Sequence, residues 1–416
     1  MLPNTAPQHA DHTYTPHVLL PLIGAPVHPR CNACVVIPAR DEAIGLPRTL
    51  DALAAQQTPD GRRLDPATWE VIVLANNCAD ATADVARAWA AQQAADGHPI
   101  TLHVAERQLP HEQAHIGVAR RLLMDEAAQR LLRNGRQRGI IVSTDADTLA
   151  EPGWLAAIRH EMDAGADAVG GRILVRTDDL PPADCATTNA DRRTLQNAHR
   201  ARRAHLHDIM FRALVDELRA RLDPQPFDPL PRHFQHFGPS IAVTVDIYQR
   251  VGGMPILPWH EDVAFANRLR AADARLRHSP QVRVRTSARQ SDRIGFGFAA
   301  QLDQWSGMQP GHDAQLVRNP QSLVVRFSTM HLLRGLWQRL RTEPSAATPE
   351  ALAAADAMGI DHAWLECVLR SVPTSGLLQQ WIEAEQARNG IWESRWPQVE
   401  IVQGIAEMRS IVSALR

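Results

Sequence analysis

Four short apolar runs rich in β-branched residues dominate the first third of the chain: residues 34–38 (CVVIP), 70–75 (EVIVLA), 100–105 and 139–143 (GIIVS). The segments between them have helical spacing. Residues 45–57 place Leu46, Leu50, Leu53 and Ala54 on one face; residues 81–95 are rich in alanine; residues 111–133 carry Ile116, Ala119, Leu123, Ala127 and Leu131. Strands that are apolar throughout, alternating with helices, predict a mostly parallel sheet covered by helices on both faces. Ligands of such sheets bind beyond the carboxyl ends of the strands, so the residues just after each strand carry the functional information.

Further along, residues 154–161 read as a helix, 168–175 as a strand and 191–222 as a long helix. Pro224, Pro226, Pro229 and Pro231 then exclude helix. Residues 238–245 (GPSIAVTV) read as a strand, 261–272 as a helix with two acids in its positive first turn, and 282–286 as a short strand. From about residue 296 the pattern is helical.

Composition narrows the function. All 44 basic residues are arginine, so neither a Schiff-base lysine nor a nucleotide-binding Walker lysine is available. A formal charge of −2 gives no general field for nucleic acid. No apolar run reaches the roughly 20 residues of a membrane span, and no signal peptide is visible. Five cysteines are few, which fits a reducing compartment, and Cys31-x-x-Cys34 reads as chance spacing at the start of a strand.

Polar clusters follow the strands in turn. Arg40, Asp41 and Glu42 come after the first, and Asn76, Asn77 and Asp80 after the second, where Asp80 also suits a helix N-cap. After the fourth comes Thr144-Asp145-Ala146-Asp147. In an extended segment, residues two apart project to one side, so Asp145 and Asp147 would repel each other unless a divalent cation lay between them. Glu261 and Asp262 open a helix after a Gly-Gly turn, where one carboxylate could serve as a general base.

In this order the motifs resemble those of family 2 glycosyltransferases: VVIPARDEA (35–43), Asn77 through Thr82, Gly117-Val118-Ala119-Arg120, STDADT (143–148), and VGG (251–253) followed by Glu261-Asp262. The resemblance covers about residues 33–175 and 236–295. It implies a GT-A-like, Rossmann-type α/β fold with a helical insertion and a helical C-terminal region. The organisation expected is a tail or arm (1–30), a nucleotide-sugar-binding half (31–178), a helical and Pro-rich insertion (179–236), an acceptor half (237–295) and the C-terminal helices (296–416).

By the same resemblance, Pro38, Arg40, Glu42, Asn77 and Asp80 face the nucleoside and Arg120 lies near the diphosphate. Asp145 and Asp147 hold the nucleotide and an Mn2+ or Mg2+ ion, and Asp262 is the base beside Glu261. The donor is a nucleoside-diphosphate sugar, the acceptor a small molecule or a lipid-linked one, and the transfer single and inverting. A retaining transferase, a nucleotidyltransferase and a non-catalytic sugar-nucleotide binder are the rivals. Arg289 and Arg293, four apart, are candidate diphosphate clamps, and His278 is a candidate third metal ligand. His233-x-x-His236 has zinc-ligand spacing but stands alone. Residues 323–340 could lie on an anionic membrane but fit better as a helix packed on the core, so the expected location is cytoplasmic, with peripheral membrane attachment as the variant.

Overall fold

The computed structural model describes residues 21–176, 189–287 and 315–416, with the backbone alone for 189–198. Eight strands form one sheet in the order β3-β2-β1-β4-β7-β6-β8-β5. They are β1 (Ala33–Ala39), β2 (Trp69–Asn76), β3 (Leu102–Arg107), β4 (Ile140–Ser143), β5 (Leu149–Ala150), β6 (Ala168–Val175), β7 (Ile241–Thr244) and β8 (Leu276–Thr286). Strands β3, β2, β1 and β4 run parallel, as do β6 and β8; β7 is antiparallel to both its neighbours, and β5 to β8.

Every residue of β1 and β2 is buried. Their side chains alternate between two cores. Cys34, Val36, Ile72 and Leu74 face α3 (Ile116–Arg133), α6 (Val245–Arg250) and α7 (Glu261–Ala271). Val35, Ile37, Val71 and Val73 face α1 (Leu46–Ala54) and α4 (Trp154–Asp163). The two-sided cover expected from the sequence is therefore present, and the α/β class with its largely parallel sheet holds. α2 (Thr82–Ala95) completes the layer beside β3.

Several boundaries differ from the sequence reading. Pro110 and a 3-10 turn at His111–Gln113 precede α3, because His115 is extended. Strand β7 stops at Thr244, and Val245 already begins α6. Strand β8 starts at Leu276 rather than 282, since its polar first half pairs with β6.

α5 (Asn189–Leu222) packs with α8 (Pro320–Thr342) and α13 (Ile401–Ala414) around Phe211, Leu218, Phe327 and Met408. Residues 323–340 thus pack on the protein, since Leu323, Phe327, Met330, Leu333, Leu336 and Leu340 are all buried. α8 also joins α9 (Glu350–Met358), α10 (His362–Ser371), α11 (Ser375–Asn389) and α12 (Ile391–Arg395) in a further core. The α11 start is fastened to the end of α7. Thr374 Oγ1 donates to Ala271 O (2.5 Å), and the Ser375 and Gly376 amides donate to the Asp273 carboxylate (2.8 and 2.7 Å). A Cβ on Gly376 would stand 1.8 Å from Arg270 O, so only glycine allows this contact.

Among the described residues, no helix is long and apolar enough to cross a membrane.

Candidate active site

The carboxyl ends of β1, β2 and β4 meet the start of α7 at one edge of the sheet. On the β1 and β2 side, two loops are stapled together. Asp41 has a left-handed backbone (φ 52°), and its Oδ1 accepts from the Ala79 and Asp80 amides (2.6 and 3.3 Å). In return, Asp80 Oδ2 accepts from Ala43 N (3.0 Å), and its Oδ1 accepts from Thr82 N (3.0 Å) and the Thr82 hydroxyl. Glu42 N donates to Thr82 Oγ1 (2.8 Å).

Asp80 therefore stands one residue before the N-cap of α2, which is Ala81, and binds the first amide of that helix while tying the first loop. Asn77, also left-handed (φ 53°), spends its amide on Leu109, donating to its carbonyl (2.9 Å) and accepting from its N–H (3.0 Å). Arg40 is exposed and donates to Ala114 O (3.2 Å), while Pro38 is buried within β1 beside Leu74. The residues expected at the nucleoside thus lie at one mouth. Asn77 acts there on the backbone of the loop after β3.

Arg120, 3% exposed, is the hub of the site. Its Nε donates to Glu261 Oε1 (3.1 Å), Nη1 to Ser143 Oγ (2.5 Å) and Gly238 O (3.0 Å), and Nη2 to Asp145 Oδ1 (3.1 Å). One guanidinium fork thereby joins the end of β4 to the start of α7. Burial opposes its charge, but Asp145, Glu261 and Asp262 outweigh burial and hold its pKa above the ordinary value. Glu261 is itself buried, and that burial raises its carboxyl pKa against the pull of Arg120.

Asp145 and Asp147 are both half-buried at the mouth. The segment is a turn closed by Thr148 N donating to Asp145 O (3.2 Å), not an extended continuation of β4. Strand alternation is thus not what places the two acids; a turn whose ends lie within about 7 Å does so. Asp147 Oδ1 stands 3.5 Å from the hydroxyls of Thr148 and Thr286. Asp145, Glu261 and Asp262 surround Arg120, and Asp147 lies in the same turn as Asp145, so the donor set is acidic and rich in oxygen. That is the chemistry a hard divalent ion requires, and Asp145 and Asp147 are the residues that could hold it.

Asp262 is half-buried; its Oδ2 accepts from Gly238 N (2.8 Å) and its Oδ1 from Val263 N (2.7 Å). The loop before α7 is held from α3. Arg121 Nη1 donates to Gly252 O (2.7 Å) and Met254 O (3.0 Å). A Cβ on Gly117 would meet Leu257 O at 2.0 Å, which explains why glycine opens the Gly-Val-Ala-Arg helix.

His278 does not join the acidic residues. Its Nδ1 pairs with Asp228 Oδ2 (2.8 Å), eight residues and roughly 25 Å of strand from Thr286, which flanks Asp147. His233 and His236 lie against it, with ring centroids 5.9 and 5.5 Å away. Burial lowers their basicity, that of His233 to about 4. His233 Nε2 pairs with Ser279 O (3.1 Å), and Arg270 sits 3.2 Å from His236 Nδ1, which opposes a cation there. Arg289 and Arg293 lie outside the described residues. Sequence reasoning gave no role to Ser143, Gly238 or Thr286; Ser143 meets Arg120 across 23 residues, and the contacts of Gly238 and Thr286 span more than a hundred.

Solved structures offer distant likenesses. A mannosyltransferase from Pyrobaculum calidifontis in complex with GDP-Man and Mn2+ is 18% identical, with 94% of this chain and 88% of that chain covered and a TM-score of 0.38. TarS of S. aureus in complex with UDP-GlcNAc is 12% identical over 86% and 92%, TM-score 0.37. Glucosyl-3-phosphoglycerate synthase from Mycobacterium tuberculosis is 16% identical over 70% and 84%, TM-score 0.36. No curated protein matches the chain. Residues 34–213 match the model of glycosyl transferase family 2, a span that runs from β1 into α5 and includes Arg120, Asp145 and Asp147. Over residues 34–213, a little under half of its length, the chain thus carries a glycosyl transferase family 2 domain.

Proposed function

We propose that the protein transfers a sugar from a nucleoside-diphosphate sugar to an acceptor hydroxyl in a single, inverting, metal-dependent step. The observation that carries this reading is the Arg120 fork, which fixes Asp145 on the donor side against Glu261 on the acceptor side. The loops after β1 and β2 receive the nucleoside, with Arg40 and Glu42 nearest the opening. Asp145 and Asp147 would hold Mn2+ or Mg2+, and the ion would neutralise charge on the departing diphosphate.

Asp262 takes the proton from the acceptor hydroxyl. Two backbone amides orient its carboxylate, while Arg120 gives its Nε donor to Glu261. The acceptor oxygen so freed bonds to the anomeric carbon on the face opposite the leaving group as the bond to the diphosphate breaks, which inverts that centre. Glu261 is a positioning residue, since it holds Arg120 and not the substrate. The acceptor is a small molecule or a lipid-linked one, and the family resemblance leaves the nucleobase open.

The test begins with a thermal-shift screen of UDP-, GDP- and dTDP-sugars with and without Mn2+, in which a true donor raises the melting temperature by mass action. With that donor, Asp262→Asn should lower kcat by about 10²–10⁴ and leave the donor-induced shift intact. Unchanged turnover in that variant, or a product with the donor's anomeric configuration, would sink the inverting reading.

A further inference from the structure

At the end of the sheet opposite the active site, the start of β1 meets the starts of β2 and β3. Cys34 stands in register with Glu70 on the neighbouring strand, and its Sγ is 2.9 Å from Glu70 Oε1. Cys31 lies two residues before β1. Its sulfur, that of Cys34 and a Glu70 oxygen all lie within 4.8 Å of one another. All three residues are buried, at 1%, 0% and 1% exposure. His103 on β3 stands outside that group, its Nε2 3.2 Å from Glu70 Oε2 and 3.0 Å from Arg130 Nη2.

Two buried thiols alone would be ordinary packing. An ionised carboxylate between them is not. Arg130 is fully buried and grips Glu70 in a fork, Nε to Oε1 and Nη2 to Oε2, both 2.8 Å. A carboxylate oriented from behind by a buried hydrogen-bonding partner is how proteins hold a metal ligand.

We propose that Cys31, Cys34 and Glu70 form a binding site for a thiophilic divalent cation of the zinc class, with the fourth position left to an exogenous donor. On binding, two S–H bonds break, two sulfur–metal bonds form, and two protons leave to solvent. The charge stays balanced: Glu70 and Arg130 cancel beforehand, and afterwards the two thiolates cancel the ion. Donors around tetrahedral zinc stand roughly 3–4 Å apart, so a small contraction of the cluster suffices. A set with two sulfur donors selects zinc-like ions over Mg2+ or Mn2+. The length of β1, roughly 20 Å, separates this site from Asp145 and Asp147, so its role is to pin the strand starts together.

The full chain, reduced and stripped with chelator, is titrated with Cd2+ while the ultraviolet thiolate-to-cadmium band and proton release are followed. The expected result is one equivalent per chain, two protons released per ion, and a melting temperature that rises with metal concentration. Cys31→Ser and Cys34→Ser should each abolish the band, while Cys78→Ser and Asp145→Asn should keep it. No band in the native chain, or a band that survives Cys31→Ser, overturns the proposal. If Cys34→Ser does not fold, Cys31→Ser decides the matter alone, with circular dichroism to show that it is folded.

Discussion

Replacing Arg120 with methionine would remove one buried cation and leave Glu261, at 6% side-chain exposure, and Asp145, at 30%, facing each other without it. Breaking a buried ion pair from one side costs about 3–5 kcal/mol, because the remaining charge is stranded. Here two carboxylates and the Ser143 hydroxyl lose their partner together, so the upper half of that range is expected at neutral pH. Glu261 supplies a second signature. Its folded-state pKa already lies above the ordinary carboxyl value, and Arg120 is the main influence holding it down.

In Arg120→Met that pKa climbs further, so the folded state binds a proton more tightly than the unfolded state. A raised acid costs stability above its folded pKa, and the cost disappears as pH falls through that value. The gap between native and variant should therefore be widest at neutral pH and shrink on acidification. Urea unfolding at neutral and mildly acid pH reads it directly, through midpoints at constant slope. Adding Glu261→Gln to Arg120→Met should recover more than about 1 kcal/mol, since neighbours in one network are not additive. A gap below about 1 kcal/mol, or one that is the same at both pH values, would refute the hub argument; so would a double variant as unstable as the single one.

Asp145→Asn and Asp147→Asn should each remove the Mn2+-dependent part of the donor-induced thermal shift, and turnover should fall with it. Gly117→Ala drives a Cβ into Leu257 O; a cost of about 1–3 kcal/mol is expected, with a raised acceptor KM and an unaltered donor shift, measured by denaturation and steady-state kinetics. Glu70→Gln removes a carboxylate whose pKa is depressed to about 2. The stability that carboxylate supplies is complete above its ordinary pKa and is lost as pH falls toward 2, so native and variant unfolding curves in chelator should converge in that acid window.

The sheet was legible where physics is local. Strands β1, β2 and β4 are buried on both faces, so their β-branched runs stand out against the helices. Strand β5, two residues long, has no such run, and the Arg277-His278 half of β8 is polar because Asp228 on a distant loop satisfies it. The strand-end rule draws attention to Asp80, Asp145 and Asp147, because a parallel sheet delivers its loops to one edge, whereas Asp262 stands out at the start of a helix. What spacing could not reveal is that Arg120 would be spent inside the protein, on Glu261, 141 residues away. Nor could the bare Cys-x-x-Cys disclose that β-sheet register would bring Glu70 to its side.

α7 is a rod about 16 Å long with Asp262 in its first turn and the α11 fastening at its far end. Shortening the chain before residue 376 would leave every proposed ligand and base in place, yet release the rear bearing of the element that aims the base. A truncated enzyme that still takes up donor but turns over poorly would thus report a lost mechanical anchor, not a missing reactive group.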